Sequence, residues 1–438
     1  MIISQFSSYL RRICYSLFAG TAFALFFVIP SVFAQQSFSI ETCQQKALDN
    51  YPLIRQHSLI DLSEQYTISN IGKAWLPQIS LQAQATWQSD VIHIPVSLPG
   101  LDIPSLSKDQ YRATIDVSQT IFDGGVTRSQ KKITEAGKEI DRQNLEVNLY
   151  TLRERVNQLF FGILTIDEQM KQLDILEKDL QTGMKLANAL LKNGTATLSD
   201  VDAVQVEILN TNQRRTELTS FRKAYLTMLS AMIGETLDEK ADLIKPGEIA
   251  INLQASIVRP EITLFSRQNE LFDAQLGIIN ARNMPHLSLF VQGGYGKPAL
   301  NMLSNKFEPF AIGGVRLNWN FSNLYSSKND RNLLSNHKNM VNVQQETFIF
   351  NTNLQLTQAW NEIQKAKELM QRNDEIIRLR QRIKTAGESK YANGVYTIND
   401  LVKDINAESQ SRQAKILHEV QYLMCLYQYR TMAGYENN

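Results

Sequence analysis

The chain has 438 residues, with 45 Lys+Arg against 44 Asp+Glu and a formal charge of +1, a balance that excludes a basic nucleic-acid binder. Charged residues at 20% and apolar residues at 43% exclude a disordered tail or a low-complexity polymer. The cysteines Cys14, Cys43 and Cys425 are too few for a disulfide framework and lack the CxxC spacing of a metal or redox site, while a Cys43–Cys425 bridge stays open.

In chain order, the first segment reads as a secretory signal peptide over residues 1–34. Arg11 and Arg12 precede an apolar run from Leu17 to Val32 that closes on Val32-Phe33-Ala34. Cys14 lies ahead of that run, so it is not the lipidated cysteine of a lipoprotein. Beyond it no stretch approaches the ~18 consecutive apolar residues of a membrane-spanning helix. The exported chain is then expected to be either soluble or part of a β-barrel.

The rest of the chain matches itself at a shift of about 200 residues, the signature of a duplicated unit. Asn50-Tyr51-Pro52 and Val258-Arg259-Pro260 lie 208 apart, as do Leu76-Pro77-Gln78-Ile79-Ser80 and Met284-Pro285-His286-Leu287-Ser288. Phe122 and Phe321 lie 199 apart, and the segments Asn193 to Asp200 and Asn393 to Asp400 lie 200 apart. The organisation is therefore a first repeat at 35–232, a linker at 233–257 and a second repeat at 258–438. Each repeat reads as helix, two strands, long helix, helix.

The strands are expected at 79–89, 111–122, 286–296 and 310–321. Ile79, Leu81, Ala83, Ala85 and Trp87 alternate with Ser80, Gln82, Gln84, Thr86 and Gln88, and Tyr111, Ala113, Ile115 and Val117 alternate with Arg112, Thr114, Asp116 and Ser118. Leu287, Leu289, Val291 and Tyr295, then Val315, Leu317, Trp319 and Phe321, repeat the pattern more loosely. Prolines avoid 105–245 and 310–438, as long helices require. Leu145, Leu149, Leu152, Val156, Leu159, Ile163, Ile166, Met170 and Leu173 recur at alternating three and four, a heptad-like seam. A helix from Val126 to Lys192 would be roughly 100 Å long at about 1.5 Å per residue. Asn193-Gly194 supplies the residue types that end it, and Thr197 caps a returning helix. Asn393-Gly394 and Thr397 repeat the turn at 393–397, with Tyr391 closing the ascending helix.

Four amphipathic strands cannot close a membrane barrel, which needs at least about eight, and an open edge in lipid leaves backbone groups unpaired. Three copies give twelve strands. Aromatic residues at the strand ends, Trp87 and Tyr111 at one rim and Phe122, Trp319 and Phe321 at the other, suit an interfacial girdle. The fold class is mainly α with a small β part: internally duplicated, long α-helical hairpins forming a trimeric α-barrel continuous with a 12-stranded transmembrane β-barrel, four strands per chain.

These residues resemble the TolC-like outer-membrane efflux proteins over about 37–434. The resemblance rests on Asn50-Tyr51-Pro52, Leu76-Pro77-Gln78-Ile79, Ser118-Gln119-Thr120-Ile121-Phe122-Asp123-Gly124-Gly125 and the two Asn-Gly-x-x-Thr-x-x-Asp turns. It implies a homotrimer in outer-membrane lipid with a periplasmic extension. Its function would be that of a passive conduit for drugs, small molecules or proteins, docked to a periplasmic adaptor (membrane fusion) protein and an inner-membrane pump of RND, ABC or MFS type. It also implies adaptor-docking turns at Asn193, Gly194, Thr197, Asn393, Gly394 and Thr397, and a pore constriction built from Asp400, Lys403, Asp404 and Tyr391. For Asp200 and Asp400 the plainer reading is a first-turn acid favoured by the helix dipole. In the second repeat Asn318-Trp319-Asn320-Phe321-Ser322 departs from the Gly-rich strand exit.

Other signals carry less. The five histidines show no metal-ligand spacing, and Gly293-Gly294-Tyr295-Gly296-Lys297 lacks the Walker spacing and sits in a strand. No nucleophile, base and orienter set points to an enzyme, and no cofactor or metal is expected. The competing class is a soluble periplasmic coiled-coil adaptor or scaffold. Its hairpins would look equally heptad-like, but it would carry a β-domain between its hairpin arms.

Overall fold

The computed structural model describes residues 37–92, 106–251 and 256–435. The signal peptide assigned to 1–34 and the loop prolines Pro95, Pro99 and Pro104 lie outside the described residues. Strand β1 (Ser37–Phe38) leads into helix α1 (Ile40–Asn50), a 3-10 turn at Pro52–Arg55 and helix α2 (Gln56–Gly72). Strands β2 (Gln78–Trp87) and β3 (Asp109–Phe122) follow, then helices α3 (Val126–Lys192) and α4 (Leu198–Ile233). After β4 (Asp242–Leu243) the second repeat runs α5 (Pro260–Arg282), β5 (His286–Lys297), β6 (Glu308–Asn318), α6 (Asn323–Ala392) and α7 (Ile398–Ala433). No helix among the described residues is long and apolar enough to cross a membrane.

Helices α3 and α6 have 67 and 70 residues, which makes each about 100 Å long. Alternating three-and-four spacing buries one stripe of each against the neighbouring helices. In α3 that stripe includes Leu145, Leu149, Leu152, Val156, Ile163, Ile166, Leu173 and Leu180. Asp123 starts α3 by accepting hydrogen bonds from the amides of Gly125 (2.8 Å) and Thr127 (2.7 Å), while Gly124 and Gly125 take φ of 67° and 89°, open to glycine at little cost. The second repeat reaches the same corner without glycine. Strand β6 stops at Asn318 rather than 321 because Trp319 turns out of the ladder. Its indole donates to the Asn283 carbonyl at 3.1 Å and its ring packs 4.6 Å from Phe321, and Asn320 accepts from the Ser322 amide at 3.0 Å.

The main sheet has the order β2-β3-β5-β6, and all its pairs are antiparallel. The two repeats thus join inside it at β3–β5, where Asp116 pairs with both Ser80 and Gln292. Register sorts the side chains by face. Ile79, Leu81, Trp87, Ile115, Leu289, Val291, Val315 and Leu317 share one face and are all exposed, Leu81 to 75%. The other face carries Gln78, Ser80, Gln82, Gln84, Arg112, Thr114, Asp116, Ser118 and Gln292. Strands β2 and β6 are free edges.

The largest core lies at mid-height and draws on α1 and the four hairpin helices. Phe160 and Phe161 of α3, Leu229 of α4, Ile363 of α6, Val420, Leu423 and Tyr427 of α7, and Ile40, Cys43 and Ala47 of α1 pack together there. The parallel pair β1–β4, two residues long and not foreseen from the sequence, ties the N-terminal segment to the linker beside this core. Cys43 and Cys425 both lie in it as free, buried thiols, so they do not pair. Burial pushes the Cys43 thiol up to about 11 and raises that of Cys425, so both act as small apolar groups. Phe161 is 1% exposed and meets Tyr427 edge-on at 5.5 Å. Phe161→Ala is expected to cost about 3–5 kcal/mol, measured as a shift of the denaturant midpoint in detergent with the m-value unchanged.

Candidate functional site

The two hairpin ends are built alike. At the first, the Gly194 amide donates to Leu191 and the Thr195 amide to Leu190, both at 3.0 Å; at the second, Gly394 donates to Tyr391 and Val395 to Lys390, again at 3.0 Å. These are Schellman closures. They require the left-handed φ of 72° at Gly194 and 70° at Gly394. Asn193 and Asn393 are the C-cap residues just before them. Around either glycine a Cβ would meet nothing within 4 Å, so backbone conformation alone explains the residue. The returning helix opens each time with a capping box. The Asp200 carboxylate accepts from the Thr197 amide at 2.7 Å and hydroxyl at 2.9 Å. Asp400 accepts from the Thr397 amide at 3.2 Å and hydroxyl at 2.6 Å, and its own amide donates to the Thr397 hydroxyl.

Asp400 is therefore engaged at its own helix start, and the Thr397 hydrogen bonds hold its carboxyl below the usual carboxylate range. Asp404, one turn on, accepts from the Tyr396 hydroxyl at 3.1 Å. Lys403 is exposed and forms no ion pair among the described residues. These three stay together on the first two turns of α7. Tyr391 stands apart from them: it is 5% exposed and packs with Leu180, Ala187, Val204, Ile398, Leu401 and Ile405, where the two hairpins meet. Burial, then the nearby Asp200 carboxylate, raises the Tyr391 pKa.

One cluster at this end escaped the sequence reading. Glu408 of α7, 1% exposed, takes an ion pair from Lys384 of α6 at 2.7 Å and another from Arg412 at 2.6 Å, and Lys384 reaches on to Asp179 of α3 at 2.9 Å. Three helices of two hairpins are thereby linked by buried charge. The signal was present: Ile398, Leu401, Ile405, Glu408 and Arg412 step by three and four, so Glu408 occupies a seam position that otherwise takes an apolar residue. The caps Gly234 and Gly434, 200 apart and both at left-handed φ, were likewise overlooked; Asn50 closes over the first, donating to the carbonyls of Ala231 and Met232.

Burial alone would raise the Glu408 pKa, but hydrogen bonds from Lys384 and Arg412 outweigh it and hold the group below its ordinary 4.5. A lowered carboxylate pKa gives stability that is complete above the unfolded value and lost as pH falls through the folded one. Glu408→Ala is expected to lose about 3 kcal/mol at neutral pH, because it removes the most buried partner of Lys384 and leaves that ammonium Asp179 alone, whereas Glu408→Leu with Lys384→Met recovers most of that. Denaturant titrations should show the wild-type advantage over Glu408→Ala shrinking below about pH 4.5.

Comparison with known proteins agrees with this architecture. The family model "Outer membrane efflux protein" matches residues 44–235. No curated protein sequence matches significantly. Among solved structures, the outer-membrane channel OprN superposes with a TM-score of 0.66 at 14% identity, covering 90% of this chain and 89% of that one. VceC, an outer membrane protein of Vibrio cholerae, gives 0.63 at 12% identity, covering 90% and 96%. The MtrE outer membrane channel of Neisseria gonorrhoeae, in its open state, gives 0.62 at 14% identity, covering 90% and 88%. The first repeat, over residues 44–235, is thus similar to the outer membrane efflux protein family, and the fold of solved outer-membrane channels extends over 90% of the chain.

Proposed function

We propose that the chain is the outer-membrane channel of a tripartite efflux or type I secretion system, a passive conduit running through the periplasm and the outer membrane. The observation that carries this reading is the four-stranded sheet, with one face of exposed apolar side chains, one polar face and two free edges. Such a sheet is unsatisfied in water and in lipid as a single copy. Three copies placed edge to edge give twelve strands with no free edge, an apolar exterior and a polar lumen. Strands of 10–14 residues have the length of tilted membrane strands. The long hairpins then continue the barrel as a helical tunnel. Exposed apolar residues on α6, among them Leu333, Met340, Val343, Phe350 and Leu354, follow a heptad-like spacing suited to a neighbouring copy.

In this reading the paired turns at Asn193-Gly194 and Asn393-Gly394 meet a periplasmic adaptor, and an inner-membrane pump of RND, ABC or MFS type supplies the energy. The adaptor alternative fares worse, because here the strands of both repeats form one sheet of membrane depth. Light scattering in detergent is expected to give three times the chain mass; a monodisperse monomer in detergent-free buffer would overturn the assignment.

Asp400, Lys403 and Asp404, at the hairpin end, are proposed as the constriction. Six carboxylates and three lysines would crowd there in a trimer and favour cations, with screening by salt. Asparagine keeps the oxygen that caps the helix while removing charge. Asp400→Asn with Asp404→Asn should therefore lower cation preference and multivalent-cation block in single-channel recordings, and Lys403→Asp should raise both. Unchanged selectivity in the asparagine variant would leave Asp400 as a helix start only.

A further inference from the structure

The polar face of the sheet carries a feature that a plain water-filled lumen does not require. Two phenylalanines lie on it, with Ile312 between them on β6 and polar residues around, each set over a glycine of the adjoining strand: Phe290 of β5 pairs with Gly314, and Phe310 of β6 pairs with Gly294. A Cβ on Gly294 would sit 2.5 Å from the Phe310 ring and one on Gly314 would sit 3.2 Å from Phe290, so the absent side chains are what let both rings lie down on the sheet. Each ring is then covered by a guanidinium. Arg316 Cζ stands 4.6 Å from the Phe290 centroid, and Arg112 Cζ stands 5.8 Å from that of Phe310, both within cation–π range.

These two arginines also lack an acid, in contrast to those that tie the helices together. Arg142, Arg215, Arg222 and Arg412 all hold carboxylates. Arg112 and Arg316 are exposed, and among the described residues neither has an ion-pair partner. The acids on the same face are engaged elsewhere, Asp116 with Thr114 and Gln292 and Glu308 with the Ser304 hydroxyl. Nor would a second copy supply one along the strands: on β2, the strand that edge-to-edge closure lays beside β6, the polar face offers Gln78, Ser80, Gln82, Gln84 and Thr86. Arg316 shares a row with Ser288 and Arg112 with Gly296. The two arginine rows are thus eight residues, or about 26 Å, apart along the strand.

We propose that the two Arg–Phe pairs form a contact ladder for anionic aromatic small molecules, such as aryl sulfonates and carboxylates, passing through the barrel. The guanidinium edge donates to the anion while the phenylalanine and its glycine shelf receive the ring. In a trimer each step occurs three times around the lumen. This rests on the channel reading, with the polar face as lumen.

The test is current block of the purified full-length protein in planar bilayers, with 2-naphthalenesulfonate as probe and inorganic sulfate and naphthylmethylammonium as controls. Naphthalenesulfonate is expected to block at concentrations where neither control does. The half-blocking concentration should rise roughly tenfold in Arg112→Gln with Arg316→Gln, and several-fold in Phe290→Leu with Phe310→Leu. The Arg112→Lys, Arg316→Lys variant, which keeps the charge and loses the planar stack, should fall between wild type and the glutamine pair. Equal block by sulfate, or unchanged block in a conducting glutamine variant, overturns the ladder. Absence of any wild-type conductance instead overturns the channel reading, so the two failures are told apart.

Discussion

Backbone hydrogen bonding at the two outer strands governs the rest of the molecule. Strands β2 and β6 each leave a row of amide and carbonyl groups unpaired, and lipid offers nothing to satisfy them. In the proposed channel, another copy of the same sheet restores the ladder while keeping the apolar face outward. A helical hairpin follows each strand pair, so whatever closes the strands also arranges the hairpins around the same axis. On the proposed reading, number of copies and position of the lumen are coupled through that one requirement.

The duplicated architecture was legible because its markers are backbone markers. Asn193-Gly194 and Asn393-Gly394 stand 200 apart because each repeat needs a left-handed residue at the same place, and Thr197 and Thr397 follow because each returning helix needs the same cap. Period-two alternation in β2 and β3 located the strands, since a sheet with one apolar and one polar face leaves a visible pattern. The seam of α3 gave its full length, with the bounds Val126 and Lys192.

Side-chain partnerships were less legible. Nothing local to Glu408 announces that it pairs with Lys384 across a hairpin, nor that Lys384 reaches Asp179 some 200 residues earlier. Tyr391 illustrates the same limit. Its place at the helix end is readable, but its burial among Leu180, Ala187 and Leu401 depends on how the hairpins pack. The early end of β6 came from one indole choosing the Asn283 carbonyl over the ladder, and the two-residue β1–β4 pair is too short to leave a pattern. On the sheet, Arg112 and Arg316 look alike in sequence to any other polar-face residue until register sets each above a phenylalanine.

The mid-height core has a consequence for biogenesis. It joins Phe38 and Ile40 to Leu426 and Ala433, so its first and last contributors are separated by nearly the whole described chain. Contacts of such sequence separation form late, after large loop-closure entropy has been overcome. The first repeat, completed on its own, would lack the Val420, Leu423 and Tyr427 side chains that cover Phe161 and Cys43. Nascent chains must therefore wait, with apolar helix faces uncovered, until the C-terminal helix docks, a state prone to aggregation. Cys43 and Cys425 stay reactive through the same interval, and docking of that last helix is what removes both thiols from solvent.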